Sequence, residues 1–394
     1  MLSACVCVVA LAAWPALTRA QTHDFEVRVT PFNQIFPALD LSQGLRPRAA
    51  LRADGGASVI GDGSGLVAVR LVAAHDEEAV QLEIDAIPWL AAPTRFEATL
   101  AHAGTTYELR PAFAWSAREL MALSQRTHVS LDVHVRRDDS PASERRVAVD
   151  LRPLNEALYY VRDGRDSVDL AWIFAAFVNE GDAVVVDVLD TARQSGIVEN
   201  FTGYADTDAD GVLRQAWAIW HALDARGIRY SGADPGVDRG PRVYSQHVRF
   251  LADTWADRSA NCIDGSALLA SALQRIGLRS FLVLVPGHAF IGFYTDPQSQ
   301  HAAYLETTLL GRELTSLRER PAYTTAGEPA STASSLASFD AALRAGAARH
   351  GRVAGKLDGH HHPDYVVIDI ATARELGIRP IAVSNAPRTL ATDR

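Results

Sequence analysis

Cys262, His288 and Glu306 are the side chains whose types and order in this sequence suit nucleophilic attack on a carbonyl. In such chemistry a thiolate adds to the carbonyl carbon and gives a thioester. A histidine moves the proton, and a carboxylate holds the imidazole in its working orientation. Cys262 follows Asn261, a good helix N-cap, and opens a stretch (262–276) with no charge between Gly265 and Leu273. That pattern predicts a buried helix whose first residue is the thiol. A thiol placed there faces the positive end of the helix dipole, which favours the nucleophilic thiolate. His288 follows Gly287 at the start of an apolar strand, and Glu306 lies in the next apolar run (302–309), so a hairpin brings the two together. Asp296 is an alternative orienting acid, although its Thr-Asp-Pro setting is ordinary turn chemistry. Asp264, at the third helical position, is expected to close a capping box with Asn261, and its charge opposes a thiolate two residues away.

The cysteine count adds weight to Cys262. The other two, Cys5 and Cys7, fall in an apolar segment (1–20) that ends in small residues and reads as an export signal. The mature chain then keeps one thiol, in a compartment where cysteines are normally paired. A periplasmic or secreted location is therefore expected. The formal charge of -9 becomes about -10 when Arg19 leaves with the signal. Such acidity leaves no electrostatic footprint for nucleic acid or anionic lipid. No second apolar run approaches the ~20 residues that cross a bilayer, so no membrane insertion is expected after the signal is cut.

The elements that must position these residues belong to an α+β chain. Between about 21 and 155 the pattern alternates, as in Val80-Leu82-Ile84 against Gln81-Glu83-Asp85 and Val129-Leu131-Val133-Val135 against Ser130-Asp132-His134. Runs of this kind predict an antiparallel β-sandwich of immunoglobulin-like shape, a spacer or a docking module for a partner. From Asp166 the apolar spacing turns helical, with Asp166 and Ser167, Asp182 and Asp210 as expected N-caps. Trp217 and Trp220 share one helix face and are assigned to the core. A loop is expected over 230–242, a helix over 245–257, strands over 281–285, 288–294 and 302–309, and a surface loop over 322–335. A strand (365–370) and a short helix ending near Gly377 close the pattern.

The stretch NCIDGSALLASALQRIGLRSFLVLVPGHAFIGFY, followed by YLETT, resembles the transglutaminase-like branch of the papain-type cysteine enzymes. The resemblance covers about 65 residues and implies a helix-plus-antiparallel-sheet domain over 156–394. It implies Cys262 as nucleophile, His288 as base and Glu306 as the group orienting the ring, where the more familiar members use Asp. In the upstream SQHVRF, Gln246 matches a position whose polar side chain helps to hold the oxyanion. The implied substrate is a protein or peptide, attacked at a peptide bond or a glutamine amide, and no cofactor is implied. Hydrolysis is preferred to amine transfer because no lysine-binding channel is marked. The competing class is a non-catalytic exported module that binds peptide or cell-wall material with the same fold.

Two other patterns carry less. Asp206, Asp208, Asp210 and Gly211 begin like a calcium loop, but Trp217 stands where a bidentate acid is required, so a helix-capping turn is expected. His360, His361 and His362 are consecutive on a loop, and no spaced Cys or His accompanies them, so no metal site is assigned.

Overall fold

In the computed structural model, residues 24–43, 56–63, 65–85, 87–205, 207–232, 236–314, 317, 319–325 and 327–381 are described. The expected export segment, with Cys5 and Cys7, and Asp206 lie outside them. The chain is α+β with sheets that are mostly antiparallel.

Residues 26–151 hold two sheets. One has the order Glu26–Val29, Val67–Val72, Thr106–Arg110, Ser58–Gly61, and the other Gln34–Ile35, Ser143–Leu151, Thr127–Arg137, Glu78–Ile84, Thr94–Leu100. The alternation read from the sequence has its expected result. Val80, Leu82 and Ile84 are buried while Ala79 and Gln81 are exposed, since successive side chains leave a strand on opposite faces. Two outer pairings are parallel, Gln34–Ile35 on Ser143–Leu151 and Ser58–Gly61 on Thr106–Arg110. Among the described strands no sheet joins this half to the next one, yet a single apolar cluster runs from Phe25 to Ile381.

The second half is built on a four-stranded antiparallel sheet in the order Ala302–Leu305, His288–Tyr294, Ser280–Val285, Val366–Asp369. Both faces are covered. Leu282, Ala289, Ile291 and Phe293 join the main core with the helix Cys262–Arg275. Phe281, Val283 and Phe290 form a smaller cluster on the other face with Val353 and Leu357. Trp217 and Trp220 are fully buried on the helix Ala209–Arg226, and their indole N–H groups donate to Ser335 and Ser338 of a long helix, Ala333–Val353. Each large ring thus has its apolar area covered and its one donor satisfied.

That long helix replaces part of the loop expected over 322–335. It lies so close to Ala302–Leu305 that a Cβ at Gly346 would sit 2.4 Å from the Tyr304 carbonyl oxygen. Further expectations are corrected. Asp166 and Ser167 do not cap a helix; Asp166–Asp169 is a strand, turned back on Glu156–Asp163 by Gly164 at a φ of 60°. The chain then enters a short 3-10 segment, Ala171–Phe177. The third helix is capped by Asp208, which accepts from the Gly211 N–H, and not by Asp210. The helix expected over 245–257 is only Leu251–Asp257, because Val243–His247 is taken into a sheet between Glu156–Asp163 and Val237–Arg239. Ladder pairing on both sides satisfies that backbone better than a marginal helical turn.

Candidate active site

Asn261 caps the helix Cys262–Arg275 with its side-chain oxygen accepting from the Ile263 and Asp264 N–H groups, and Asp264 closes the capping box. The Asp264 carboxyl is buried and accepts from two backbone N–H groups, those of Asn261 and Arg249. Burial nevertheless holds it above the usual carboxylate range. Cys262 is therefore the first residue of a firmly anchored helix, half-buried and unpaired. Its carbonyl accepts from Ser266 and, at 3.1 Å, from the Thr307 hydroxyl.

The hairpin between Ser280–Val285 and His288–Tyr294 turns through Pro286 and Gly287, whose φ of 70° suits a residue without a Cβ. His288 opens the second strand and lines the same cleft as Cys262. The ring Nε2 lies 2.9 Å from both oxygens of Glu306. Glu306 is one residue past its strand, Ala302–Leu305, and caps a short 3-10 turn; the strand expected to run to 309 stops at Leu305.

Four groups besides His288 fix Glu306, and none was assigned from the sequence. Its Oε1 accepts from the Thr308 hydroxyl at 2.9 Å and the Thr308 N–H at 3.3 Å, and its Oε2 accepts from Arg349 Nε at 2.6 Å. Its own N–H donates to the Ala342 carbonyl of the long helix. The three consecutive residues Glu306, Thr307 and Thr308 thus hold the histidine, the cysteine backbone and the carboxylate itself. YLETT carried that signal, but only its glutamate was read. Arg349 has no counterpart in any motif.

Asp296 plays no part here: its carboxylate accepts from the Gln300 and His301 N–H groups in its own turn. Gln246 does reach the site. It lines, with Cys262 and His288, one cleft of about 420 Å³, and its amide nitrogen donates to the His247 carbonyl at 2.9 Å. Tyr159, Phe174, Tyr230, Arg239, Ile263 and Pro363 complete much of the wall. The described parts of the other patterns serve elsewhere. His361 packs on Tyr365 and His362 meets Asp169.

Burial alone would lower the His288 ring, but the neighbouring Cys262 and Glu306 outweigh burial and raise it to about 9. Burial would raise Glu306, and His288, Thr308 and Arg349 together bring it down to about 2. The signs fix a window. The stabilisation from His288 is full below the ordinary value of 6.5 and is lost as pH rises through about 9. That from Glu306 is full above 4.5 and is lost as pH falls through about 2. The difference in Tm between the wild type and His288→Gln is therefore expected to be greatest between about pH 4.5 and 6.5 and to shrink toward pH 9. A difference that stays flat from pH 6 to 10 in thermal melts would contradict the pairing.

No protein-family model matches this chain, and no curated protein matches it either.

Proposed function

We propose that this chain is an exported cysteine enzyme of the transglutaminase-like type, acting on peptide or glutamine amide bonds through a thioester. The observation that carries the reading is the hydrogen-bonded pair His288–Glu306 sharing with Cys262 one cleft at the first turn of a buried helix. With Nε2 committed to Glu306, Nδ1 is the nitrogen left to exchange a proton with the thiol. The thiolate sulfur attacks the carbonyl carbon, and the electron pair moves to oxygen. The Cys262 N–H, which as the first helical residue has no carbonyl to bond within its helix, faces that oxygen, and Gln246 assists. When the intermediate collapses, the C–N bond breaks and the amine leaves with the proton from His288. Water then attacks the thioester, gives its proton to the ring, and the acid is released as the thiol reforms.

Hydrolysis is favoured over amine transfer by the lining of the cleft. Among the described residues that line it, none is Asp or Glu and Arg239 is cationic, so a lysine side chain meets no attracting wall. The two-sheet half serves as a spacer or docking module, since the described lining residues begin at Tyr159.

The test is to treat the folded protein with iodoacetamide at neutral pH, then to assay it on casein and on a glutamine donor with an amine acceptor. Rapid single alkylation of Cys262 with release of peptides or ammonia is expected. Alkylation only in denaturant would overturn the reactive thiol. Amine incorporation exceeding hydrolysis would overturn the preference for water.

A further inference from the structure

The carboxylate behind the histidine serves two cations. Glu306 is 3% exposed, yet both His288 and Arg349 draw on it, the ring reaching both oxygens and the guanidinium Nε taking Oε2 at 2.6 Å. Arg349 comes from the last turns of Ala333–Val353, a helix held to this place by independent contacts. The Glu306 N–H donates to Ala342, Gly346 packs on the Tyr304 backbone, and Trp217 and Trp220 bond to Ser335 and Ser338. The guanidinium therefore arrives with its helix and is not a free surface side chain that happens to reach in.

We propose that Arg349 is a positioning residue for His288: by sharing Glu306 it keeps that carboxylate from committing wholly to the imidazolium, so the ring can release its proton as well as hold it. This rests on the reading of His288 as the acid and base of the site. The physical case is one of competition. A buried carboxylate with a single cationic partner gives that partner its whole charge, and the partner becomes hard to deprotonate. A Cys-His enzyme needs the opposite in its second step, because the imidazole must be neutral to take a proton from water. A second, permanently charged cation on the same carboxylate repels the imidazolium and dilutes the attraction. Arg is suited to this because it does not lose its own proton.

The other groups around the ring do not provide this. Cys262, from its helix, and Glu306 both favour the charged ring. Thr308 is neutral, Tyr230 on the cleft wall keeps its phenol proton because burial and the charges of Cys262 and Glu306 raise it, and Asp264 is turned to backbone N–H groups. His350, next to Arg349, stacks on Tyr304 and not on Glu306. Arg239 lines the cleft and bonds to Asp364. Among the described residues, Arg349 is the cation that bonds Glu306 besides His288 itself.

The experiment is a pH titration of the His288 ring in the full-length folded protein, followed by NMR with labelled histidine and assigned with His288→Gln. Arg349→Gln is expected to move the midpoint upward by about 0.5–1 unit, and Arg349→Lys to leave it close to the wild type. The same shift predicts a three- to tenfold slower deacylation at neutral pH, seen as a larger acyl-enzyme burst, with KM little changed. If Arg349 only ties the helix down, Arg349→Gln lowers Tm and leaves the midpoint where it was, and that result overturns the proposal. A downward shift overturns it as well. Arg349→Lys keeps the question answerable if the glutamine variant unfolds, since a lysine midpoint well away from the wild type also overturns it. The titration needs no substrate. A protein that turns nothing over but shows the upward shift keeps the charge-sharing role of Arg349 and overturns the hydrolase reading alone.

Discussion

Cys262→Ala is expected to lower hydrolysis by a factor of about 10⁴ or more, with little change in thermal stability. In the proposed reaction the sulfur is the atom that bonds to the substrate, so the loss is large; the cleft, the oxyanion donors and the histidine would retain only weak residual catalysis without it. The fold should hardly respond. Cys262 is half-buried at the first helical position, where the anchoring is done by the Asn261 and Asp264 capping box and by bonds to the backbone carbonyl. Alanine keeps all of these. Cys262→Ser is expected to be nearly as inactive, because a hydroxyl beside the same imidazole is far harder to ionise than a thiol. Equal turnover by wild type and Cys262→Ala, measured on casein and on a glutamine amide, would sink the enzyme and leave a binding module.

The second large effect belongs to Glu306. Glu306→Gln preserves the shape but removes the charge that faces both His288 and Arg349. We expect kcat to fall by about 10³–10⁴, as when the acid of a comparable triad becomes an amide. Stability should fall too, by about 1–3 kcal/mol, because the guanidinium and the imidazolium lose their common anion in a buried place. Asp296→Asn is the matched control. Its carboxylate is engaged with Gln300 and His301, so it should cost activity nothing. Loss of activity in the Asp296 variant with none in the Glu306 variant, read as kcat under saturating substrate, would reverse the assignment.

The short-range parts of this arrangement were legible because local chemistry decides them. Asn261 before an uncharged run, with an acid three residues on, specifies a capped helix whatever lies around it. Gly287 before His288 specifies a turn and then a strand, and the observed strand starts at the residue expected. Errors came where tertiary pairing decided. Val243–His247 shares helical spacing with the helix Leu251–Asp257 after it, but two neighbouring strands claim its backbone. Asp166–Asp169 has four exposed residues and no apolar pattern at all, so only its hairpin partner makes it a strand. The long helix was missed for a different reason. Ala, Ser, Gly and Arg dominate it, and it meets the sheet through Gly346 and the helix Ala209–Arg226 through the hydroxyls of Ser335 and Ser338, residues that look like loop when read singly.

The late position of that helix bears on when the site can work during synthesis. Cys262, His288 and Glu306 have all been made by residue 306, but Arg349 comes 43 residues later, and the edge strand Val366–Asp369 later still. A growing or partly threaded chain therefore holds the thiol and the histidine without the helix that seats the carboxylate behind the ring. On the proposed reading, the thiol is made before the segment that aligns its partners, and the chain meets its own peptide bonds in that interval with an unfinished site. On that reading, the order of the elements delays competence until the helix Ala333–Val353 and the strand Val366–Asp369 have emerged and folded.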